Sequence, residues 1–278
     1  MLLDVLDYEF MRLALVAAVF TGLAAPAIGT YLVQRRLALR GDGLGHVALT
    51  GVALGLLTGT APLLTALAVA ALGAILIELL RAYARTSGDV ALAMLFYGGI
   101  AGGVLLIQLA GEGASTLNRY LFGSITTVAS SDVVVVAVLG VVVVAAALGL
   151  APQLFAVCQD EEHARVSGVP VRLYGVLVAV LAAATITVSM RTVGLLLVSA
   201  LMVVPVAAAQ QVSRSFRGTH LLAMAIGLVT AVSGVLVSFE ADTAPGPTIV
   251  MLALVAFALA AVGRAVVVLA RRRRAHAR

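Results

Sequence analysis

Charged residues are scarce in this sequence. Only 11% of its 278 residues are charged, whereas 62% are hydrophobic and the mean hydropathy is +1.14. Ordinary globular proteins have about 25% charged residues, so this composition excludes a typical soluble domain. The alternating pattern of membrane β-strands is missing, whereas several continuous apolar runs reach the ~20 residues that a transmembrane helix needs. The sequence therefore predicts an all-α, polytopic helical transmembrane bundle whose helices pack through small residues.

The sequence contains no lysine, and all 18 of its basic residues are arginine. A Gly-rich phosphate loop ending in Lys-Ser or Lys-Thr is therefore missing, and we expect no ATP hydrolysis by that route in this chain. A net charge of +5 is compatible with nucleic-acid binding, but most of the arginines lie in short loops between apolar runs. That distribution is typical of membrane topology, so we predict no nucleic-acid partner.

Cysteine occurs once, as Cys158, which excludes an internal disulfide. The residue lies beside a charged loop between two apolar runs. We predict that it is a cytoplasmic thiol with no role in the chemistry.

Nine apolar segments are predicted to cross the membrane, or eight if one of them is re-entrant. They span residues 11–33, 44–59, 62–83, 90–110, 131–151, 172–190, 193–212, 219–239 and 247–269. Arginine clusters follow alternate segments, at Arg35, Arg36 and Arg40; Arg81 and Arg85; Arg165 and Arg172; Arg214 and Arg217; and Arg271 to Arg274. Under the positive-inside rule all five clusters face the cytoplasm, which places the amino terminus outside and the carboxy terminus inside.

An acid and a histidine stand out around the start of the second segment, within YLVQRRLALRGDGLGHVALTGVALGLLTG at residues 31–59. Asp42 and His46 are four residues apart, so on a helix their side chains lie about 40° apart around the axis and both can reach one metal ion. Ionisable groups at membrane depth are costly unless they line a wet path or find partners, which favours a transport site. The structural alternative makes Asp42 the cap of a helix that begins near Gly43, and His46 a hydrogen-bond donor to a neighbouring carbonyl.

Pro205 interrupts the apolar run at residues 193–212. Pro205 is predicted to break or bend that helix, because it removes a backbone donor and frees a carbonyl. Met190 and Met202 are soft potential metal ligands, but packing is the commoner role of methionine in an apolar helix.

The chain resembles the permease family of ABC importers for zinc and manganese over nearly its whole length. Six stretches match in order: RRLALRGDGLGHVALTGVALG, SGDVALAMLFYGGIAGGVLL, YLFGSI, DEEHARVSGVPV, TVGLLLVSALMVVPVAAAQ and GVLVSFEADTAPGPTIV. The resemblance implies a single transmembrane permease domain over residues 1–278 and a metal pathway lined by Asp42 and His46. It also implies a coupling loop at about 158–171, through Glu161, Glu162, Ala164 and Gly168.

The same resemblance implies the partners. These are a cytoplasmic ABC ATPase subunit, an extracytoplasmic metal-binding protein, a second permease copy and the lipid bilayer of a bacterial plasma membrane. No cofactor is expected to stay bound, because zinc or manganese is the transported substrate. Imidazole and carboxylate suit such ions, and a site with few ligands can release them.

Two other classes remain open at this point. An ion-gradient-driven secondary transporter would use the buried ionisable residues as a proton or sodium relay, although the polar loop at 158–171 argues against it. An intramembrane enzyme would need a nucleophile with a base, or an HExxH pair, and the sequence has neither. Neighbouring genes for an ATPase and a secreted binding protein would favour the importer.

The predicted topology can be tested by cysteine labelling. A reporter cysteine placed by Ala275→Cys should react with an impermeant thiol reagent only after the cells are permeabilised, because all five arginine clusters share one side. Labelling from outside intact cells would invert the topology and remove the basis for a cytoplasmic loop at 158–171.

Overall fold

A computed structural model describes residues 7–35, 37–83, 88–124, 126, 129–190 and 192–276. Within these residues the chain forms twelve helices and no strand. The helices are α1 (Glu9–Gln34), α2 (Ala38–Thr58), α3 (Pro62–Tyr83), α4 (Gly88–Leu109), α5 (Ala114–Phe122), α6 (Ser130–Gly149), α7 (Ala151–Gln159), α8 (Glu161–Val166), α9 (Val171–Ser189), α10 (Leu195–Val212), α11 (Phe216–Glu240) and α12 (Pro245–His276). Two residues of the predicted arginine clusters, Arg36 and Arg85, lie outside the described residues.

Nine of these helices coincide with the nine apolar segments of the sequence. By length and composition, eight helices in the described part of the chain can cross a membrane, namely α1, α3, α4, α6, α9, α10, α11 and α12. The ninth long helix, α2, is not among them, and it is the helix that contains Asp42 and His46. The prediction of an all-α bundle with eight or nine membrane segments is therefore confirmed.

Side-chain contacts show which loops share one end of the bundle. At one end, Arg35 after α1 pairs with Glu161 of α8, and the ring of Phe216 at the start of α11 lies 5.6 Å from that of Tyr31. At the other end, Phe239 near the end of α11 packs against Tyr8, with ring centroids 5.9 Å apart. The end of α1 and the start of α11 therefore lie together at one end of the bundle, and the start of α1 and the end of α11 lie together at the other, as expected for the first and the eighth of nine consecutive long helices.

Helix α2 lies inside the bundle, packed against α3, α4, α9 and α10. Glycine allows the closest of these approaches: a Cβ atom built on Gly99 of α4 would lie 2.6 Å from the carbonyl carbon of His46. One turn further along α2, Thr50 Oγ1 donates a hydrogen bond of 2.9 Å to the Gly99 carbonyl oxygen. Small residues at helix contacts let backbones approach, so α4 can cover the polar part of α2 directly.

A pair of adjacent glycines in α4 tests this contact. Gly99→Ala should lower the melting temperature of the detergent-solubilised protein, because the new methyl group overlaps the α2 backbone and overpacking costs about 1–3 kcal/mol. Gly98→Ala is the matched control, because a Cβ atom there meets nothing within 4 Å. It should leave the melting temperature unchanged or slightly higher, since alanine favours helix more than glycine does. Equal melting temperatures for the two variants would contradict the close α2–α4 contact.

Candidate metal site and coupling segment

Asp42 lies inside helix α2 rather than at its cap. The helix begins at Ala38, and its N-cap residue Leu37 makes no side-chain cap hydrogen bond. The alternative that made Asp42 a cap near Gly43 is therefore wrong, because the helix starts one turn before the acid. The carboxylate is half-buried, and Ser199 Oγ of α10 donates a long hydrogen bond of 3.4 Å to its Oδ1.

His46 lies one turn further along α2 and is buried, with 6% of its surface exposed. Its ring meets the ring of Phe96 edge to face, with centroids 4.4 Å apart. Among the described residues its Nδ1 has no hydrogen-bond partner, so the alternative of a neighbouring carbonyl is not met at that atom. A buried polar atom left unpaired costs about 1–3 kcal/mol. The Nδ1 atom is therefore available to bind a ligand.

Helix α10 contributes the other polar groups beside this pair. Ser199 and Met202 are three residues apart and so lie on one face of α10, and that face meets the start of α2. The absence of a side chain at Gly41 permits this, since a Cβ atom there would lie 3.3 Å from Met202 Sδ. Sequence analysis did not single out Ser199; the available signal was its place one turn before Met202 in an apolar run.

One chain supplies few potential metal ligands to this site. No group of three or more His, Cys, Asp or Glu side chains with metal-binding geometry occurs in the part of the chain that the structure describes. Asp42 and His46 thus supply one carboxylate and one imidazole, with a hydroxyl and a thioether nearby. These groups can hold a divalent ion weakly, or share it with ligands from elsewhere.

Pro205 lies inside α10 and does not end it, because the helix continues from Leu195 to Val212. The prediction that Pro205 breaks this helix is therefore wrong. A proline removes only one hydrogen bond of the helical ladder, and α1 packs tightly at this level: a Cβ atom on Gly29 would lie within 3.0 Å of the Met202 Cα.

The segment predicted to couple to an ATPase folds as the short helix α8 and a turn. Asp160 caps α8 by accepting hydrogen bonds from the backbone nitrogens of Glu162 at 2.9 Å and His163 at 3.0 Å. Gly168 ends the turn with a φ of +82°, a backbone conformation that favours glycine. Both Glu162 and Gly168 are exposed, so they are available to a partner.

The other two predicted coupling residues face the bundle. Ala164 is 1% exposed and packs against Val157 and Val171. Glu161 forms an ion pair with Arg35, whose side chain is 5% exposed. A buried guanidinium needs a counterion, so Glu161 serves the permease internally and connects α8 to the end of α1.

On the side of α8 that faces away from the helix bundle lies a residue that sequence analysis did not single out. Val166, the last residue of α8, is 89% exposed. A single exposed apolar residue is common on protein surfaces, so Val166 is of interest for its position between the exposed residues Glu162 and Gly168. The sequence signal was a lone valine in the polar stretch DEEHARVSG.

Cys158 lies next to this segment, in α7. Its Sγ is 3.8 Å from the Tyr31 carbonyl oxygen. Burial raises the pKa of the Cys158 thiol to about 11, against the opposing effect of the Arg35 guanidinium. The thiol is therefore protonated and unreactive at neutral pH, consistent with the prediction that it has no role in the chemistry.

Comparison with known proteins gives consistent results. The chain is 35% identical to a protein of Treponema pallidum named "Probable metal transport system membrane protein", over 94% of this chain and 99% of that one. It is 28% identical to the manganese import system permease protein ScaB of Streptococcus gordonii, over 90% of both. It is 26% identical to the high-affinity zinc uptake system membrane protein ZnuB of Haemophilus influenzae, over 91% of this chain and 97% of that protein.

A solved structure matches the fold. A chain in the structure of PsaBC from Streptococcus pneumoniae in complex with Fab superposes with a TM-score of 0.84 at 27% identity, covering 94% of this chain and 95% of that one. The sequence profile of the ABC 3 transport family matches residues 7–264. The chain therefore belongs to the ABC 3 transport family, the membrane permeases of metal-transporting ABC systems.

Proposed function

We propose that this chain is the membrane subunit of an importer that moves zinc or manganese into the cytoplasm past Asp42 and His46. The observation that carries the proposal is the buried Nδ1 of His46, which has no partner among the described residues and lies one turn from a half-buried carboxylate. Nitrogen and oxygen ligands suit both ions. Two ligands per chain hold an ion loosely enough to pass it on, which a closed cage of four does not.

The proposed energy source is a separate ATPase subunit on the cytoplasmic side. With no lysine in the chain, a phosphate loop of the Lys-Ser or Lys-Thr type is missing here. An extracytoplasmic metal-binding protein would deliver the ion, and a second permease copy would complete the pathway in the plasma membrane of a bacterium. The proposed metals reflect the names of relatives, which include manganese and zinc systems.

The proposed contact with the ATPase is the outer face of α8 and its turn, formed by Glu162, Val166 and Gly168. These residues are exposed, whereas Ala164 and Glu161 hold the segment to the bundle. One face of α8 is thus packed against the permease, and the opposite face is exposed to a partner. This arrangement supports a rigid-body movement of α8 with the ATPase. Motion imposed on α8 would pass through Glu161 and Arg35 to the connection that leads into α2.

Substitution of the metal pair tests the pathway. In proteoliposomes containing the permease and its ATPase, Asp42→Asn and His46→Ala should each reduce metal uptake at least tenfold, with zinc and manganese assayed in competition. Asparagine keeps the shape of aspartate but removes the charge that a divalent ion requires. Alanine removes the only imidazole on α2.

The matched control is His220→Ala. His220 is also buried, at 3% exposure, and has unpartnered ring nitrogens among the described residues, but it packs against Tyr31 and Phe216. Its loss creates a similar cavity and should leave most of the uptake intact. Near-normal uptake by the Asp42→Asn and His46→Ala double variant, in an assembled complex, would contradict the proposed pathway.

A second substitution tests the coupling face. Val166→Glu should abolish copurification of the ATPase, or its stimulation, because an added carboxylate replaces an apolar contact with a charge that must be desolvated. The same charge added by Ala241→Glu, exposed at the other end of the bundle, should have no effect. Wild-type ATPase recovery with Val166→Glu would show that the main contact lies elsewhere.

A further inference from the structure

An open groove runs between the end of α10 and residues 259–268 of α12. It has a volume of about 560 Å³. One wall is apolar and comes from α12, where Leu259, Gly263 and Val267 line the groove. Leu259 is 69% exposed and Val267 is 50% exposed, and a Cβ atom built on Gly263 would meet nothing within 4 Å. The groove is thus a long apolar track that no part of the described chain fills.

The rim of the groove is cationic. Arg214 and Arg264 both line it and both are exposed. Arg264 Nη1 donates a hydrogen bond of 3.2 Å to Gln211 Oε1, which holds the guanidinium at the rim. Among the side chains that the structure describes, neither arginine pairs with a carboxylate. Two positive charges therefore lie at the edge of the apolar track, and no described carboxylate neutralises them.

The depth of this rim matches the edge of the hydrocarbon layer. Arg264 is 19 residues after Pro245, the first residue of α12, which corresponds to roughly 28 Å along the axis. The hydrocarbon core of a bilayer is ~30 Å thick. Arg264 thus lies about one hydrocarbon thickness along α12 from Pro245, toward the end of the bundle that carries the predicted cytoplasmic arginines, and its long side chain can reach lipid phosphates there. Leu259 and Gly263 lie on the membrane side of Arg264, and Val267 lies about one turn beyond it.

We infer that this groove binds an anionic phospholipid, whose phosphate pairs with Arg264 and Arg214 while one acyl chain lies along α12. The phosphate of such a lipid would meet the arginines at the rim, and its acyl chain would meet the apolar side chains of α12. Basic pockets between membrane helices on the cytoplasmic side are known to take anionic headgroups. The membrane-spanning window of α12 is only 6% buried within the protein, so lipid has direct access to it. The inference requires a membrane-spanning chain and is independent of the proposed metal path.

Lipid retention measures this binding directly. The whole chain, purified in mild detergent from a bacterial membrane, is exposed to phosphatidylglycerol or phosphatidylethanolamine, and bound lipid is counted by native mass spectrometry. The wild type should retain phosphatidylglycerol several-fold more than phosphatidylethanolamine. Arg264→Gln should remove most of that preference, and Arg217→Gln should not, because Arg217 is exposed at the same end but does not line the groove.

A third variant separates a lipid from a free phosphate ion. Gly263→Leu adds an apolar side chain to the track and replaces neither arginine, and a Cβ atom at Gly263 meets nothing within 4 Å, so the new side chain starts in open space. It should reduce phosphatidylglycerol retention as strongly as Arg264→Gln does. Retention unaffected by Gly263→Leu would reduce the site to an anion contact and overturn the lipid groove. Equal retention of the two lipids by the wild type, or equal losses in Arg264→Gln and Arg217→Gln, would overturn it as well.

Discussion

The enclosure of a carboxylate and an imidazole within a membrane bundle is the constraint on which the rest of this structure depends. A carboxylate that faces lipid is unfavourable, by ~2.5–3.5 kcal/mol at the bilayer centre on insertion scales. Asp42 and His46 lie in the first half of α2, so that part of α2 is expected to face protein and not lipid. Helix α2 is surrounded by α3, α4, α9 and α10, and glycines such as Gly99 bring the backbones close enough to exclude lipid. Within the described part of the chain, the Nδ1 of His46 has no hydrogen-bond partner, which leaves that nitrogen available to a ligand.

The polar contacts outside α2 form a continuous route to it. Arg35 follows α1 directly and precedes α2 by two residues, and its buried guanidinium is neutralised by Glu161 of α8. A parallel contact joins Gln34 and Gln159 at 2.9 Å. In the proposed importer, the segment that faces the ATPase is therefore tied to the connection leading into the helix with the metal pair. The two contacts hold the end of α7 and the start of α8 against the end of α1, from which the chain leads on to α2.

The sequence was sufficient for the fold class, because each membrane segment is a continuous apolar run and the runs coincide with the nine long helices. It also singled out Asp42 and His46, since they are polar residues at helical spacing in an apolar context; the structure places both on α2, and their role as metal ligands stays a prediction. It was insufficient for Ser199 and for the Arg35–Glu161 pair, because both depend on contacts between helices more than 100 residues apart. Pro205 was overinterpreted, since tertiary packing against α1 keeps α10 continuous.

The central claim is that a metal ion binds His46 and Asp42 directly. X-ray absorption spectroscopy on the complete complex, trapped with a non-hydrolysable ATP analogue and loaded with zinc or manganese, measures the ligands of the bound ion. The account predicts nitrogen and oxygen ligands at ~2.0–2.2 Å with imidazole scattering, and loss of that scattering in His46→Gln. A spectrum without imidazole, or one that His46→Gln leaves unchanged, would contradict the account.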